Sequence, residues 1–432
     1  MTSLVNETGQ DSRTMLPTTR NIVVLGGNYA GSSIAHLFLK HMYSDLPQSG
    51  AKYRLLLVNP STTFYHRSAS PRAAADLERA EKSCSLFSDL AEGFSRYTPE
   101  SFTFIQGLAN KVDLDMRTVT IRKVERAGLD GPSEEILHFH ALWIATGASP
   151  DADVLNTVQT GKEEILSRIK IMNAKVNKAT DIVIAGGGPT AVELAGEIGE
   201  HLNGAAGRFY KRPSDPKARI RLISDSDYLL QKKLSRKHAG WAEQLLTRVG
   251  VDVVSGVRTT GATKNKDGST SVLLNNGTSI NCDLFIPATG YVPNTSFLPK
   301  HILDERGFVK TNEKTLRVDN AGPRVYCVGD VGTYTRGGLP DLILAVLPAM
   351  ANFKRDLLAA HDDVNAKPTG LDKAHEPLTA ETLLCTVGYT KGLGVFTGRQ
   401  LPYFMTYRFK VKDYFDCGHE FASGSRWEKT KF

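Results

Sequence analysis

The sequence predicts an α/β protein with two nested Rossmann-like dinucleotide-binding domains and a small C-terminal α+β element. A short β-branched run at residues 22–27 ends in glycines and precedes a helical pattern, which is the order of a dinucleotide-binding unit. Residues 181–202 repeat that order. A further buried-strand pattern at residues 323–331 follows the second unit, so we expect the second domain to lie inside the first.

Four segments follow from this organisation. A polar connection at residues 361–377 separates the repeated units from a C-terminal stretch of different composition. The expected boundaries are a flexible tail at 1–19, a discontinuous first domain at 20–150 plus 291–365, a second domain at 151–290, and a C-terminal element at 380–432.

The composition excludes several classes of protein. The 432 residues are 41% hydrophobic and 23% charged, which is ordinary for a globular chain and excludes disorder, collagen and coiled coil. No apolar run reaches the length of a membrane span. The first 20 residues lack the apolar core of a secretory signal, and Thr2 excludes N-myristoylation. We expect a cytoplasmic, non-secreted protein, with peripheral membrane and mitochondrial locations left open.

The cysteines and histidines predict neither a disulfide framework nor a metal site. The five cysteines are scattered, odd in number and without a CxxC pair, which fits a reducing compartment. We expect each to be a small buried side chain. The eleven histidines show no metal-ligand spacing.

The second glycine turn fits the pattern G-x-G-x-x-A. Gly186 allows the tight turn, Gly188 lets a pyrophosphate approach the backbone, and Ala191 lets the helix pack against the strand. Pro189 suits the first position of a helix, whose free N–H groups favour phosphates.

The first glycine turn departs from that pattern at one position. Gly26, Gly27, Ala30 and Gly31 are in register, but Asn28 stands where the second glycine is expected. Because Asn tolerates positive φ better than most residues, we expect the turn to form with the Asn28 side chain near a pyrophosphate.

In each of the two units, a ribose-binding acid is expected at the carboxyl end of the second strand. The first unit has Asn59, which can still bond a ribose hydroxyl. The second unit has Ser224 and then Asp225: an inward Asp225 favours NADH, whereas Ser224 in that place carries no repulsion against a 2′-phosphate. Three basic residues follow, either able to pair with that phosphate or forming a solvated helix face: Lys232, Lys233 and Arg236.

The last 32 residues, from Leu401, contain nine aromatic residues mixed with basic ones. Aromatic and polar residues alternate from Tyr407 to Lys412. One interpretation is an interfacial membrane anchor or a channel for a lipophilic acceptor. The other is a strand that packs on the first domain or on a second subunit.

Five ordered motifs carry a resemblance to a known family: IVVLGGNYAG, WIATG, IVIAGGGPTAVELAGE, IPATGYVPN and VYCVGDV. Together they resemble the two-dinucleotide-binding-domain flavoproteins, which are FAD- and NAD(P)H-dependent pyridine nucleotide oxidoreductases. The chain is most similar to the apoptosis-inducing-factor-like group, which includes ferroptosis suppressor proteins and fungal homologues, and also resembles type II NADH dehydrogenases. The resemblance covers about residues 20–360.

The resemblance implies roles for individual residues. FAD would lie on the first turn and on Asp330, and NADH or NADPH on the second turn. Glu193 would lie near the flavin–nicotinamide stack, although an acid in a first helical turn also simply complements the helix dipole. Arg67 or Arg72 would reach an FAD phosphate. Four residues would mark the crossings between domains: Thr146, Gly147, Thr289 and Gly290.

The function expected from these observations is an FAD-dependent NAD(P)H oxidoreductase. Since residues 28–45 contain no cysteine, reduced flavin would pass electrons directly to a quinone-like or other small acceptor. The alternatives are a redox-sensing binding protein like apoptosis-inducing factor, and a biosynthetic flavin oxidase or monooxygenase.

The expected partners follow from the charge. Residues 205–250 hold eleven Lys/Arg against four acids, which equals the whole chain's excess of +7. We attribute this basicity to NAD(P)H binding, which disfavours nucleic acid as a partner. Peripheral membrane contact through the C-terminal segment and a homodimer are left open.

Overall fold

The computed structural model describes residues 18–47, 49–124, 133–150, 161–207 and 209–431. The predicted N-terminal tail lies outside the described residues up to position 17. No helix in the described part of the chain is long and apolar enough to cross a membrane.

Strands and helices alternate through most of the chain. The strands are β1 (Thr18–Leu25), β2 (Ala51–Asn59), β3 (Thr63–Tyr65), β4 (Phe87–Asp89), β5 (Phe102–Asp113), β6 (Thr118–Lys123), β7 (Glu134–His138), β8 (Ala141–Ile144), β9 (Ala148–Pro150), β10 (Asp181–Ala185), β11 (Arg219–Ile223), β12 (Val251–Val254), β13 (Thr259–Lys264), β14 (Thr270–Leu274), β15 (Ser279–Cys282), β16 (Leu284–Pro287), β17 (Tyr291–Pro293), β18 (Val325–Cys327), β19 (Leu383–Val387), β20 (Lys391–Phe396) and β21 (Arg399–Gln400). The helices are α1 (Tyr29–His41), α2 (Ser70–Ala75), α3 (Leu77–Ser83), α4 (Leu90–Phe94), α5 (Lys162–Lys178), α6 (Pro189–Asn203), α7 (Arg236–Arg248), α8 (Leu339–Ala359), α9 (Tyr403–Thr406) and α10 (Gly418–Ser423).

The first sheet has the strand order β18-β8-β1-β2-β5-β6-β7. The strands from β18 to β5 are parallel, and β6 and β7 extend the sheet as an antiparallel meander. Residues of β1 alternate between two cores: Ile22 and Val24 pack with α1 and α8, and Val23 and Leu25 pack on the other face. Burial on both faces explains the continuous apolar run in the sequence.

The second sheet, β12-β11-β10-β16, is parallel throughout and is joined to an antiparallel meander, β13-β14-β15. Because β18 returns to the first sheet after the second is complete, the second unit is nested in the first. The predicted fold class of two nested Rossmann-like units is therefore confirmed, whereas the residue boundaries of the domains remain predictions.

The C-terminal element combines the antiparallel sheet β19-β20-β21 with short helices. It packs closely on both units: a Cβ at Gly196 of α6 would lie 2.7 Å from the Val387 Cα, and a Cβ at Gly424 would overlap the His36 ring of α1. The chain end therefore contacts a helix of each nested unit.

The strand interpretation of the aromatic segment is wrong. Residues Tyr407–Val411 form a π-helix that continues α9, and the Lys412 N–H bonds the Tyr407 carbonyl. The side chains buried in this region are those of Thr406, Val411 and Tyr414, and the five-residue step from Thr406 to Val411 fits a π-turn better than a strand's period of two. The alternating aromatics are consequently exposed positions of a helix.

Two buried histidines hold this element, and we expect acid to weaken their hold. The Nε2 atom of His36 bonds the Ala422 carbonyl and that of His66 bonds the Tyr414 carbonyl. Burial lowers the pKa of His36 to about 3 and that of His66 to about 4. Below about pH 6.5 the unfolded chain therefore binds protons that these two folded-state histidines do not bind, so stability decreases as the pH is lowered, by of the order of 3 kcal/mol per histidine at pH 4.5.

Urea unfolding of the protein between pH 7.5 and 4.5 measures this effect. His36→Gln, which keeps an N–H donor but does not titrate, is expected to flatten the pH dependence. The control His419→Gln changes an exposed histidine and should not. An equal slope for wild type and His36→Gln would contradict the prediction.

Candidate functional site

The second glycine turn joins β10 to α6 and leaves open space in front of the helix. Gly186 has φ +137°, and a Cβ there would overlap the Ala288 carbonyl oxygen, so only glycine fits. Gly188 precedes Pro189, the first residue of α6, and a Cβ at Gly188 would meet nothing within 4 Å. Ala191 is fully buried against the strand side. The turn thus exposes a helix N-terminus to an unfilled space.

The first turn repeats this construction between β1 and α1. Gly26 has φ +101°, and a Cβ there would overlap the Ala145 carbonyl oxygen. A Cβ at Gly31 would overlap the Gly26 carbonyl oxygen, so the helix and the turn need glycine at both positions. Ala145 and Ala288 each belong to the strand connection next to their turn, which shows that the two units share one geometry.

Asn28 does not need positive φ, contrary to expectation. Its backbone is extended, with φ −84°, and it is the N-cap of α1. The side-chain oxygen accepts a hydrogen bond from the Tyr29 N–H at 2.8 Å, and the amide donates to the Tyr65 carbonyl at 3.1 Å. Gly26 supplies the left-handed residue of this turn, so Asn28 is tolerated as a cap.

Asn59 and Ser224 occupy equivalent places at the ends of β2 and β11. Asn59 accepts from the Gly27 N–H at 2.8 Å, and a Cβ at Gly27 would lie 2.9 Å from Asn59. Ser224 is buried and lies against Gly187, where a Cβ would overlap its hydroxyl oxygen. Of the two alternatives at the second unit, Ser224 therefore takes the inward place.

Asp225 points outward and is neutralised by a residue that the sequence did not indicate. Its carboxylate pairs with Arg258 at 3.1 Å, and both side chains are exposed. Arg258 lies 33 positions away in the chain, between β12 and β13, so no local pattern could have found it. The carboxyl ends of β11 and β12 are consequently lined by a serine and a guanidinium–carboxylate pair.

The basic residues of 205–250 do not form one nucleotide-binding patch, which corrects the interpretation of the charge. Arg212 pairs with Asp252 at 2.6 Å, and Arg248 donates to the Ala206 carbonyl. These contacts lie where β11 and β12 begin, whereas the nucleotide turn follows the carboxyl end of β10. Of the three candidate phosphate partners, Lys233 instead donates to the Gly337 carbonyl at 2.8 Å, and Arg236 lies over Tyr228.

The two crossings between the units are tied together by Asn294. It accepts a hydrogen bond from Thr146 Oγ1 at 2.8 Å and donates to the Thr146 carbonyl at 2.9 Å. The Asn294 N–H also bonds the Gly147 carbonyl, next to the antiparallel pair β9–β17. On the second crossing, Thr289 is exposed and Gly290 faces open space.

Arg67 and Asp330 lie beside the first unit's part of this cleft. The Arg67 guanidinium donates to the Ala148 carbonyl at 3.0 Å, next to Gly147. Asp330 is exposed after β18, and the preceding Gly329 lies against Ala30 of the first turn, where a Cβ would be 3.2 Å from the Ala30 Cβ. One Asp330 oxygen accepts from the Gly338 N–H at 3.0 Å. A guanidinium and a carboxylate thus lie at the carboxyl edge of the first sheet.

Glu193 is buried on α6 and forms an ion pair with Lys410 of the π-helix at 2.8 Å. The Thr386 N–H also donates to its Oε1 atom at 3.3 Å. The expectation that Glu193 complements the dipole in the first turn of α6 is wrong, because the helix begins at Pro189 and its first turn contains no acid. Lys410 is the partner that sequence reasoning missed. It lies in a π-helical turn, and such turns are frequent at functional sites.

A second buried pair lies one helical turn further along α6. Arg72 bonds Glu197 at 3.1 Å, and the Tyr414 hydroxyl donates to Glu197 at 2.7 Å. Tyr414 in turn contacts the Thr386 hydroxyl at 2.6 Å. Arg72 is therefore part of a structural network and is not available to an FAD phosphate, which leaves Arg67 of the two alternatives. The C-terminal element completes the site through these contacts.

All five cysteines are free and buried. Burial raises the pKa of Cys84 and Cys327 to about 12, that of Cys282 and Cys417 to about 11, and that of Cys385 well above its ordinary value. Since the thiolate is the reactive form, none of the five is prepared for thiol–disulfide exchange at neutral pH.

The two turns fit dinucleotides. Each turn combines a helix N-terminus, glycines at positions where neighbouring backbone leaves no room for a side chain, and a polar side chain at the end of the second strand of its unit. The first unit adds Arg67 and Asp330 as a cation and a hydroxyl acceptor. The second adds open space beyond Gly188, which suits a pyrophosphate.

Comparison with known proteins agrees with this construction. A family model described as "Pyridine nucleotide-disulphide oxidoreductase" matches residues 20–346. Oxidoreductase phnG of Penicillium herquei is 38% identical over 424 residues, which cover 95% of this chain and 97% of that protein. Ferroptosis suppressor protein 1 of Xenopus tropicalis is 24% identical over 94% of this chain and 96% of that protein.

Solved structures share the fold. The water-forming NADH oxidase of Lactobacillus brevis, bound to NADH, gives a TM-score of 0.59 at 16% identity over 87% of this chain and 74% of that chain. The sulfide:quinone oxidoreductase of Aquifex aeolicus gives 0.56 at 17% identity over 80% of this chain and 76% of that chain. At these identities the likeness concerns the fold alone.

Proposed function

This chain belongs to the pyridine nucleotide-disulphide oxidoreductase family, and we propose that within it the protein is an FAD-dependent NAD(P)H:quinone-type oxidoreductase that uses no redox-active disulfide. The observation that carries the proposal is that the chain combines two dinucleotide-type turns with five cysteines that are all free and buried. Every thiol is buried, and burial raises the pKa of each. This supports direct transfer of electrons from the reduced flavin to a small acceptor.

FAD, when bound, accepts hydride from the nicotinamide and passes the electrons on. The residues of the chain bind and orient. The first turn, Arg67 and Asp330 would hold FAD, and the second turn would hold NAD(P)H through α6. The ion pair of Glu193 and Lys410 would place fixed charges of both signs close to the reacting rings in a site shielded from water.

Similarity to the ferroptosis suppressor proteins, one of which aligns along nearly the whole chain, supports a small quinone-like acceptor. An apolar acceptor also suits the C-terminal element, which exposes aromatic side chains around the segment that carries Lys410. Contact with a membrane surface through these aromatics, and a homodimer, remain predictions.

Spectroscopy of the purified yellow protein tests the proposed function. Under anaerobic conditions NADH or NADPH should bleach the flavin, and a short-chain quinone should restore its colour. If neither nucleotide bleaches the flavin, the proposal fails. If quinone does not reoxidise it but oxygen does so with product formation, an oxidase or monooxygenase is favoured instead.

We expect NADPH to be preferred over NADH. Ser224 puts no carboxylate against a 2′-phosphate, and Arg258, released from Asp225, can pair with that phosphate. A charged hydrogen bond contributes about 1.5–3 kcal/mol, and solvent exposure places this one at the lower end, so Arg258→Ala should weaken NADPH binding about tenfold.

Stopped-flow flavin reduction at varied NADPH and NADH concentrations measures the two apparent affinities. Arg258→Ala should leave the NADH value unchanged. The control Arg219→Ala changes an exposed arginine at the amino end of β11, away from the second turn, and should change neither affinity. An equal loss for both nucleotides would contradict the role of Arg258.

A further inference from the structure

The loop between α6 and β11 (residues 204–218) carries basic charge that the proposed function does not use. It holds four basic residues against one acid, which is +3 of the whole chain's excess of +7. Its base is closed by Asn203, whose side chain bonds both the N–H and the carbonyl of Ala218, directly before β11. The loop thus lies at the amino end of the second sheet, whereas the glycine turn follows the carboxyl end of β10. Nucleotide binding therefore does not explain this charge.

Hydrogen bonds fasten the loop to the neighbouring strand and helix. Arg212 pairs with Asp252 at 2.6 Å and donates to the Gly250 carbonyl at 3.2 Å, which ties the middle of the loop to the start of β12. The Ala206 N–H bonds the Arg248 carbonyl at 2.7 Å, at the end of α7. Loops whose ends are close and whose backbone is held in this way often carry a function. The residues between these contacts are therefore presented in a defined position.

The loop holds two adjacent aromatic side chains out into solvent. Phe209 is 91% exposed and Tyr210 is 67% exposed. Exposed basic side chains follow them along the chain: Lys211, Lys217 and Arg219. Neighbouring exposed rings within a basic segment indicate a contact surface rather than a scattered apolar residue.

The combination of exposed rings and cations fits the headgroup layer of an anionic membrane. Aromatic rings settle at the depth of the lipid headgroups, and lysine and arginine reach anionic phosphates while their stems lie along the apolar boundary. An acidic protein or a nucleic acid would match the cations but offers no fluid apolar layer to a ring as exposed as Phe209. Anionic lipid is thus the partner that satisfies both features of the loop.

We propose that the α6–β11 loop is a membrane-contact loop, which places Phe209 and Tyr210 among the headgroups of an anionic lipid surface while its basic side chains pair with lipid phosphates. This surface is separate from the aromatic side chains of the C-terminal element. Because the second glycine turn lies at the other end of β10, it would face away from the membrane and stay open to a water-soluble nucleotide. The proposal holds whichever acceptor the reduced flavin uses.

Sedimentation of the full chain with lipid vesicles tests the proposal. The chain should sediment with phosphatidylcholine vesicles that contain phosphatidylserine and stay in solution with phosphatidylcholine alone, and raised salt should release it because salt screens the charges. A basic residue close to an anionic surface contributes about fivefold to the partition coefficient, so Lys211→Gln combined with Lys217→Gln should lower it about 25-fold. Phe209→Ala removes an apolar contact and should lower it about tenfold.

A matched variant locates the contact. Phe404→Ala changes an exposed phenylalanine of the C-terminal element and should partition like wild type. Failure of the wild-type chain to sediment with the anionic vesicles would overturn the proposal, as would a loss that follows Phe404→Ala instead of Phe209→Ala. Binding of duplex DNA or formation of a dimer that depends on Phe209, in place of vesicle binding, would also overturn it.

Discussion

Replacing Gly188 with aspartate is expected to yield a folded, yellow protein whose flavin NAD(P)H no longer reduces. Gly188 has φ −84°, which any residue adopts, and a Cβ there meets nothing within 4 Å. It is also the N-cap of α6, a position that favours aspartate. The new carboxylate would lie where a pyrophosphate must bind, so we expect the apparent affinity for NADPH to fall at least 100-fold with no loss of thermal stability.

Two control variants separate binding from folding. Gly188→Ala should lose only part of the apparent affinity for NADPH, because the methyl group crowds the pyrophosphate but carries no charge that repels it. Gly186→Ala should damage the fold itself, because that residue has φ +137° and abuts the Ala288 carbonyl. Normal reduction kinetics in Gly188→Asp would mean that the second turn does not hold the nucleotide.

Replacing Lys410 with methionine is expected to lower both stability and turnover. The variant leaves Glu193 buried without its cation, and removal of one partner of a buried ion pair destabilises a protein by about 3–5 kcal/mol. Because the Lys410 side chain keeps some contact with solvent, we expect the loss of unfolding free energy to lie at the lower end of this range, at about 3 kcal/mol. If Lys410 lies near the reacting rings as proposed, acceptor-driven reoxidation of the flavin should slow at least tenfold, because a fixed positive charge is lost there.

A double-mutant cycle distinguishes the structural role of this pair from its catalytic role. Glu193→Gln combined with Lys410→Met removes both charges and should recover most of the stability but not the reoxidation rate. Lys412→Met changes an exposed lysine of the same segment and should affect neither. Full turnover in the double variant would restrict the pair to a structural role.

The parts of the fold that the sequence predicts are those that local rules govern. The glycines of both turns are predictable because Gly26 and Gly186 need positive φ directly after a buried strand. The apolar strand and the glycine both appear within about six consecutive residues, so a local pattern reveals them. The nesting is predictable because the buried β-branched runs recur in order. Asn28 shows the limit of such rules, since its side-chain amide donates to the Tyr65 carbonyl, 37 positions away.

The missed residues are joined to the site only by tertiary structure. Lys410 meets Glu193 and Arg258 meets Asp225 across 33 to 217 positions of chain. The aromatic alternation before Lys412 resembled a strand because exposed positions of a helix can alternate by chance. The basic residues of the second unit are close in sequence, but the fold divides them between the amino and carboxyl ends of the strands of its sheet.

An anaerobic reductive titration of the FAD-loaded protein with NADPH, followed by a short-chain quinone, measures whether electrons pass directly from flavin to acceptor. We predict that a single equivalent of NADPH bleaches the flavin completely, that a single equivalent of quinone restores it, and that the five free thiols are unchanged throughout. Cys385→Ser, which alters the thiol that contacts the start of α6, should behave like wild type. Consumption of a second equivalent together with a change in titratable thiols, or loss of quinone reduction in Cys385→Ser, would contradict direct transfer.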